Sequence, residues 1–173
     1  MKNAVFEKAA LCADLVAIFT ALNVPAWDAQ QVADVLIRAD QWGVKSHGVF
    51  RVKRYVDCLT SGGIRVDAPF TVEKRAGAWA QVSAGGGLGI PASCRAVELA
   101  MEIAREHVVG MVNVRQSHHN GAEGIYANKC AENGMAGVAM STGNPIMAVT
   151  GGCERAIGNN PFAYAVPAGK YGT

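Results

Sequence analysis

Two short segments combine residue types that could bind a small carboxylate and move a proton. The first, Ser46-His47-Gly48-x-x-Arg51-x-x-x-Tyr55, spaces His47, Arg51 and Tyr55 at intervals of four residues. On an α-helix each such step rotates by about 40°, so these three side chains are predicted to share one face. Arginine can pair with a carboxylate, whereas histidine and tyrosine can hydrogen-bond or transfer protons. Spacing alone more often indicates a solvated helix face on which Ser46 is the N-cap.

The second segment, residues 117–121 (SHHNG), follows an apolar run and precedes a predicted helix. Loops at the carboxyl ends of strands are common ligand sites in α/β proteins, and a histidine there can act as an acid or a base. Adjacent side chains point in different directions, so at most one of His118 and His119 is expected to face a site. A loop histidine without a chemical role explains the pattern equally well. A metal site on these histidines and His47 is disfavoured, since no HxH or HxxxH spacing supports it.

Glycines are concentrated after the first predicted strand. Residues 85–89 (GGGLG) could cradle a phosphate at a helix start, but they do not form a GxGxxG fingerprint and no Walker lysine follows. A tight strand-to-helix turn is therefore the favoured interpretation. Later glycines at 143, 151, 152 and 158 flank a loop that could lie against a flat ligand.

The bulk composition narrows the classes of protein. The chain has 173 residues, is 50% hydrophobic and carries a net charge of +2. That balance excludes a disordered chain and argues against a strongly basic nucleic-acid-binding protein. No apolar run reaches about 18 residues, so no membrane-spanning helix is expected. Five cysteines lie far apart without a CxxC pair, and no signal-peptide pattern is seen. Reduced thiols and a cytoplasmic location are the resulting prediction.

The order of elements predicts the scaffold. Apolar spacing favours helices over 4–22, 26–41 and 47–60, and then strands and helices alternate. These later elements are strands over 78–83, 108–114, 135–140 and 162–166, and helices over 91–107 and 121–133. The prediction is an α/β protein with a helical substrate-side region at 1–70 and the first part of a mixed α/β cofactor-binding domain at 71–173.

Taken together, these segments resemble the type-2 malate/L-lactate dehydrogenase family, which is distinct from the Rossmann-fold lactate dehydrogenases. Each stretch alone is weak, but four occur in the family's order and spacing. The matching stretches are Ala39-Asp40-x-Trp42-Gly43-Val44-x-Ser46-His47-Gly48-Val49-x-Arg51, Ser117-x-His119-x-Gly121, Met140 to Pro145, and Gly151-Gly152 followed by Gly158-Asn159-Asn160-Pro161.

The resemblance implies an oxidoreductase that moves a hydride between NAD or NADP and a small 2-hydroxy or 2-oxo acid such as malate or lactate, or a related compound such as ureidoglycolate or a diketogulonate. The cofactor would sit on a mixed, non-Rossmann sheet, in a homodimer. His119 matches the family's acid–base histidine and His47 its second active-site histidine. Ser46, Arg51 and Tyr55 match positions that bind the carboxylate substrate.

Cofactor contacts are implied for Gly143, Asn144 and Asn160. The chain departs from the family where Gly143 replaces a common serine and Asn159 a threonine. His118 stands where asparagine is frequent, so it could compete with His119 for the acid–base role.

Length is the largest departure, because family members are about twice as long. The chain is therefore interpreted as an N-terminal half that holds the substrate side and part of the cofactor side. A truncated, non-catalytic fragment that serves as a folding or dimerisation unit is the alternative.

Overall fold

The computed structural model describes residues 5–172. Residues 1–4, which include the start of the predicted helix over 4–22 and of the predicted region 1–70, lie outside the described residues. Residue 173, the last of the predicted domain 71–173, also lies outside them. By its internal contacts the chain divides into two compact units, residues up to 122 and residues from 123 onward. The domain boundary that the sequence places at residue 70 stays a prediction. Each unit is described by itself below.

The first unit opens with two helices, α1 (Lys8–Ala21) and α2 (Ala26–Gln41). They pack through a cluster of Leu15, Ala33 and Ile37. Phe19 is also completely buried, as the apolar spacing of this region requires. Pro25 precedes α2 and ends the turn between the two helices. The predicted helices over 4–22 and 26–41 are thus present, the first beginning later than expected.

The predicted helix over 47–60 is wrong in its first part. Two 3₁₀ turns, Lys45–His47 and Val49–Arg51, come before a shorter helix, α3 (Val52–Thr60). Gly48 lies between the turns with an extended backbone, and its Cα faces the Asp40 carboxylate so closely that a Cβ would overlap it. Asp40 Oδ2 accepts a hydrogen bond from the Val49 N–H at 2.9 Å. Ser46 lies inside the first turn and is not a helix N-cap.

A three-stranded mixed sheet completes this unit. Strand β1 (Thr71–Ala76) pairs antiparallel with β2 (Trp79–Gly87), and β2 pairs parallel with β3 (Met111–Ser117). Helix α4 (Gly89–His107) makes the crossover from β2 to β3. Strand β1 is absent from the sequence prediction because all six of its residues are exposed, which leaves no apolar alternation to detect. The predicted glycine turn at 85–89 is partly wrong, since β2 continues to Gly87.

The second unit contains helix α5 (Glu123–Glu132) and a two-stranded antiparallel sheet of β4 (Gly137–Met140) and β5 (Phe162–Ala165). Gly137 packs against Ala127 and Cys130 of α5, so one face of this sheet is covered by the helix. The other face is exposed and apolar, with side chains that are 60–73% accessible: Val138, Met140, Phe162 and Tyr164. We call these four residues the open face.

The mixed α/β fold with an N-terminal helical layer is as the sequence predicts. Strand ends are displaced by a few residues because apolar runs show where a strand is buried and not where its hydrogen bonds end. None of the helices in the described part of the chain is long and apolar enough to cross a membrane.

Candidate functional site

Tyr55 and His119 meet in the first unit although they are 64 positions apart in the sequence. The Tyr55 hydroxyl lies 2.7 Å from His119 Nδ1. Tyr55 is only 2% exposed and is fixed in α3, whereas His119 lies in the loop that follows β3. The carboxyl end of a parallel strand therefore delivers a histidine to a buried phenol.

Glycines allow the histidine loop to approach the helices. A Cβ at Gly89, the first residue of α4, would overlap the backbone carbonyl groups of His118 and His119. Gly121 has a φ of +86°, and a Cβ there would meet Val35 at 3.1 Å. These two glycines permit close backbone contact between the histidine loop and the helices.

His47 is the third member of the group. Its ring stacks on the ring of His119 with centroids 5.4 Å apart and planes inclined by 23°. Ser46 Oγ lies 2.9 Å from His47 Nδ1. Gly48, immediately after His47, is held against Asp40, so the bend between the two 3₁₀ turns positions the imidazole.

Arg51 borders the histidine pair and is held at one nitrogen only. Its Nε donates to the Ser46 carbonyl oxygen at 2.6 Å. The terminal nitrogens of the guanidinium have no hydrogen-bond partner among residues 5–172. Because an arginine fork suits a carboxylate, this end of Arg51 can bind one.

Hydrogen bonds assign the proton on the His119 ring. The backbone N–H of Gly121 donates to His119 Nδ1 at 3.2 Å, so Nδ1 acts as an acceptor. The Tyr55 hydroxyl then donates to the same nitrogen, and the proton of the neutral ring is placed on Nε2.

Two pKa values are displaced in this group. Burial of the ring, followed by the positive charge of Arg51, lowers the pKa of His119 to about 4. His119 as a residue remains exposed, although its Nδ1 is engaged with Tyr55. Burial raises the pKa of Tyr55 above its usual value of 10. At neutral pH the histidine is therefore neutral and the tyrosine keeps its proton.

Sequence-predicted residues Ser46, His47, Arg51, Tyr55 and His119 are thus brought together, although not as three residues on one α-helix. In contrast, the ring of His118 forms no hydrogen bond or ring contact within residues 5–172. His119 is the better supported of the two neighbours for a chemical role.

Two further residues belong to this region and were missed. Asp40 supports the bend at Gly48, and Arg54 lies beside Tyr55 with a charge that lowers the pKa of His119. Helical spacing could have found Arg54, because residues three apart on a helix are neighbours. Nothing in the sequence indicates that Asp40 would accept the Val49 N–H.

In the second unit, the predicted cofactor residues lie in two joined loops. The Gly143 N–H donates to Asn160 Oδ1 at 2.9 Å, and a Cβ at Gly158 would overlap the Gly143 carbonyl. Asn144 and Asn160 are exposed. The side-chain oxygen of Asn160 is thus engaged within the protein.

Within the described residues no three His, Cys, Asp or Glu side chains come close enough to hold a metal ion. Of the three histidines considered for a metal site, His47 and His119 stack on each other, whereas no ring contact of His118 is seen among the described residues.

The sequence profile of the malate/L-lactate dehydrogenase family matches residues 6–172, and the chain belongs to that family. It is 42% identical to the malate dehydrogenase of Pyrococcus horikoshii over 153 residues, which are 88% of this chain and 42% of that protein. It is 39% identical to the L-sulfolactate dehydrogenase of Methanothermobacter thermautotrophicus over 154 residues, 89% of this chain and 45% of that one.

Solved structures agree with the sequence comparison. The structure of the Pyrococcus horikoshii malate dehydrogenase superposes with a TM-score of 0.90 at 41% identity, covering 96% of this chain and 49% of the other. The chain therefore spans less than half the length of the curated relatives it matches.

Proposed function

We propose that this chain carries the substrate side of an NAD- or NADP-dependent oxidoreductase that interconverts a small 2-hydroxy acid and its 2-oxo acid, as the names of the malate and sulfolactate dehydrogenase relatives suggest. The contact of His119 with Tyr55 and His47 carries this proposal. The support is that a histidine lies near Arg51, whose terminal guanidinium nitrogens have no hydrogen-bond partner among residues 5–172.

His119 acts as the acid–base group through Nε2, the ring nitrogen that Tyr55 does not occupy. In the oxidation direction, a neutral ring with its proton on Nδ1 accepts the hydroxyl proton of the substrate at Nε2 and becomes an imidazolium, while its Nδ1–H donates to the Tyr55 hydroxyl oxygen. In the reduction direction, the imidazolium gives its Nε2 proton to the substrate oxygen as the hydride reaches the carbon, and the ring is left neutral. The Tyr55 phenol can donate to Nδ1 in the resting ring and accept from Nδ1–H in the reacting ring, whereas the Gly121 N–H fits only the resting ring.

Arg51 binds the substrate carboxylate and so fixes which face of the reacting carbon is presented. His47, stacked on His119 and linked to Ser46, donates a hydrogen bond or proton to the substrate. The raised pKa of Tyr55 keeps its proton in place, which makes it a positioning hydrogen-bond partner and not a second acid.

The cofactor contacts are proposed for Gly143, Asn144 and Asn160. An exposed loop with glycine backbone and free amide groups fits a flat, amide-bearing ring, and this is the support for the assignment. The nicotinamide supplies or accepts the hydride when bound. Gly143 offers no side chain, so any contact there is made by its backbone.

The proposal also includes an oligomeric state and a cellular location. A homodimer is expected from the family resemblance. A cytoplasmic location is supported by five cysteines that all remain free thiols.

Replacing His119 tests the function. In an active form of the protein, His119→Gln should lower kcat by at least about 100-fold, because proton transfer is lost. His118→Gln is the matched control and should stay within about 2-fold, since its ring forms no hydrogen bond or ring contact within residues 5–172. Equal turnover for His119→Gln and the wild type would contradict the assignment. A larger loss for His118→Gln would transfer the role to that residue.

A further inference from the structure

Strands β2 and β3 lose their regular pairing immediately before the histidine loop. Ser83 is the last regular partner of Arg115 on this side of the irregularity. The next regular pair joins Gly87 to Ser117, so three residues of β2 face the single β3 residue Gln116. A bulge of this kind bends a strand and re-aims the side chains beside it, and bulges are frequent next to active sites.

The backbone at Gln116 has a conformation that glutamine rarely adopts. Its φ is +54°, in the left-handed region that favours glycine. A left-handed residue at the end of a strand changes the direction of the chain, and His119 follows three positions later. Because a glutamine disfavours this φ by itself, contacts with the surrounding structure must hold it there.

Ser83 makes such a contact. Its hydroxyl donates to Gln116 Oε1 at 2.6 Å and accepts the N–H of Gly85, a residue of the bulge, at 3.1 Å. Ser83 is only 7% exposed, so water replaces a lost hydrogen bond poorly at this position. One buried hydroxyl therefore joins the bulged strand to the left-handed residue on its partner.

The chain that follows Gln116 runs closely along the end of β2 and the start of α4. The His118 N–H donates to the Gly87 carbonyl oxygen at 3.4 Å. A Cβ at Gly89 would overlap the carbonyl groups of His118 and His119. The direction that the chain takes at Gln116 thus decides how the histidine loop lies in this narrow space, and where the ring of His119 is delivered.

We propose that Ser83 and Gln116 are positioning residues, whose hydrogen bond holds the left-handed backbone that brings His119 against Tyr55. Neither side chain is assigned a contact with the substrate, and both act through the backbone of the histidine loop. Their role rests on the proposed function, because it concerns the histidine that performs the acid–base step there.

Two substitutions of Gln116 test this role. Gln116→Ala removes the hydrogen bond and keeps the cost of a positive φ, whereas Gln116→Gly removes the same bond together with that cost. The reporter is the nuclear Overhauser effect between ring protons of Tyr55 and His119 in this chain, since the ring centroids lie 5.9 Å apart. Its intensity should fall at least about 3-fold in Gln116→Ala and stay within about 1.5-fold of the wild type in Gln116→Gly.

Ser83→Ala tests the other end of the hydrogen bond. It should weaken the effect as Gln116→Ala does, and the added substitution Gln116→Gly should restore it, because glycine holds a positive φ without help. A merely structural loss at Ser83 would not be rescued in this way. Gln81→Ala is the matched control: Gln81 lies two positions earlier on β2, donates to Glu73 of β1 at 3.0 Å, and should keep the wild-type intensity when replaced.

The outcomes separate this role from the proposed function. Wild-type intensity in Gln116→Ala, or a loss in Gln116→Gly as large as in Gln116→Ala, overturns the positioning role and leaves the proposed function standing. Absence of the effect in the wild-type chain overturns both, because the Tyr55–His119 contact carries both. If Ser83→Ala does not fold, the two Gln116 variants decide alone, since Gln116 is exposed.

Discussion

The two units of this chain differ in how much of their apolar surface is covered. In the first, the helices and the central strand β2 bury a continuous set of side chains, and Tyr55 and His119 come together at its edge. In the second, α5 covers one face of a two-stranded sheet and the open face stays accessible. Two strands alone are marginally stable in water.

The residues proposed for the substrate and those proposed for the cofactor are divided between the same two units. The residues proposed for acid–base chemistry and carboxylate binding, His119 and Arg51, are held by hydrogen bonds inside the first unit. The loops proposed to contact the cofactor, in the second unit, are fixed to each other through Gly143 and Asn160. The proposed substrate side is thus the more firmly held of the two.

The largest expected effect tests how the first unit holds its site. Gly48→Ala should destabilise the protein by about 2–3 kcal/mol and lower its thermal midpoint by roughly 5–10 °C, because a Cβ overlaps the Asp40 carboxylate. Gly63→Ala is the control: its nearest neighbour, the Cys58 carbonyl oxygen, would be 3.5 Å from the new atom, so its effect should stay within about 0.5 kcal/mol. Calorimetry of both variants gives the comparison. Similar midpoints for the two would contradict the packing of Gly48 against Asp40.

A smaller effect is expected at the open face. Met140→Gln should change the free energy of unfolding by no more than about 0.5 kcal/mol, because Met140 is 66% exposed. Ala139→Gln, one residue earlier on the face toward α5, should cost about 1–3 kcal/mol through overpacking. Urea unfolding of the whole chain with each substitution measures the two changes in the free energy of unfolding. If Met140→Gln cost more than Ala139→Gln, the open face would have to be covered in solution.

Sequence patterns predicted the buried parts of this fold well. The periodicity of α1 and α2 and the apolar run of β2 carry strong signals because these elements contribute buried side chains to the core. Strand β1 is exposed along its whole length, and the break at Gly48 depends on a carboxylate eight residues earlier. Such a contact between distant positions leaves no periodic trace, so the long predicted helix at 47–60 was wrong.

Site residues could be proposed from the sequence because four motifs occur in the family's order, but their contacts could not. The spacing of His47, Arg51 and Tyr55 predicted a shared helix face, whereas the structure joins Tyr55 to His119 from another element. Arg54 lies outside the matching motif, although its spacing from Arg51 could have indicated it.

The central claim is that the first unit already holds an assembled acid–base site in which His119 is neutral and desolvated against Tyr55. The most direct measurement is an NMR pH titration of the His119 ring in this chain, assigned with His119→Gln. We predict a pKa near 4, well below the ordinary histidine value of about 6.5, so that the ring is neutral throughout the neutral range. A titration midpoint of about 6.5 or above would contradict the claim, because it would show a ring that is solvated and free of the two arginine charges.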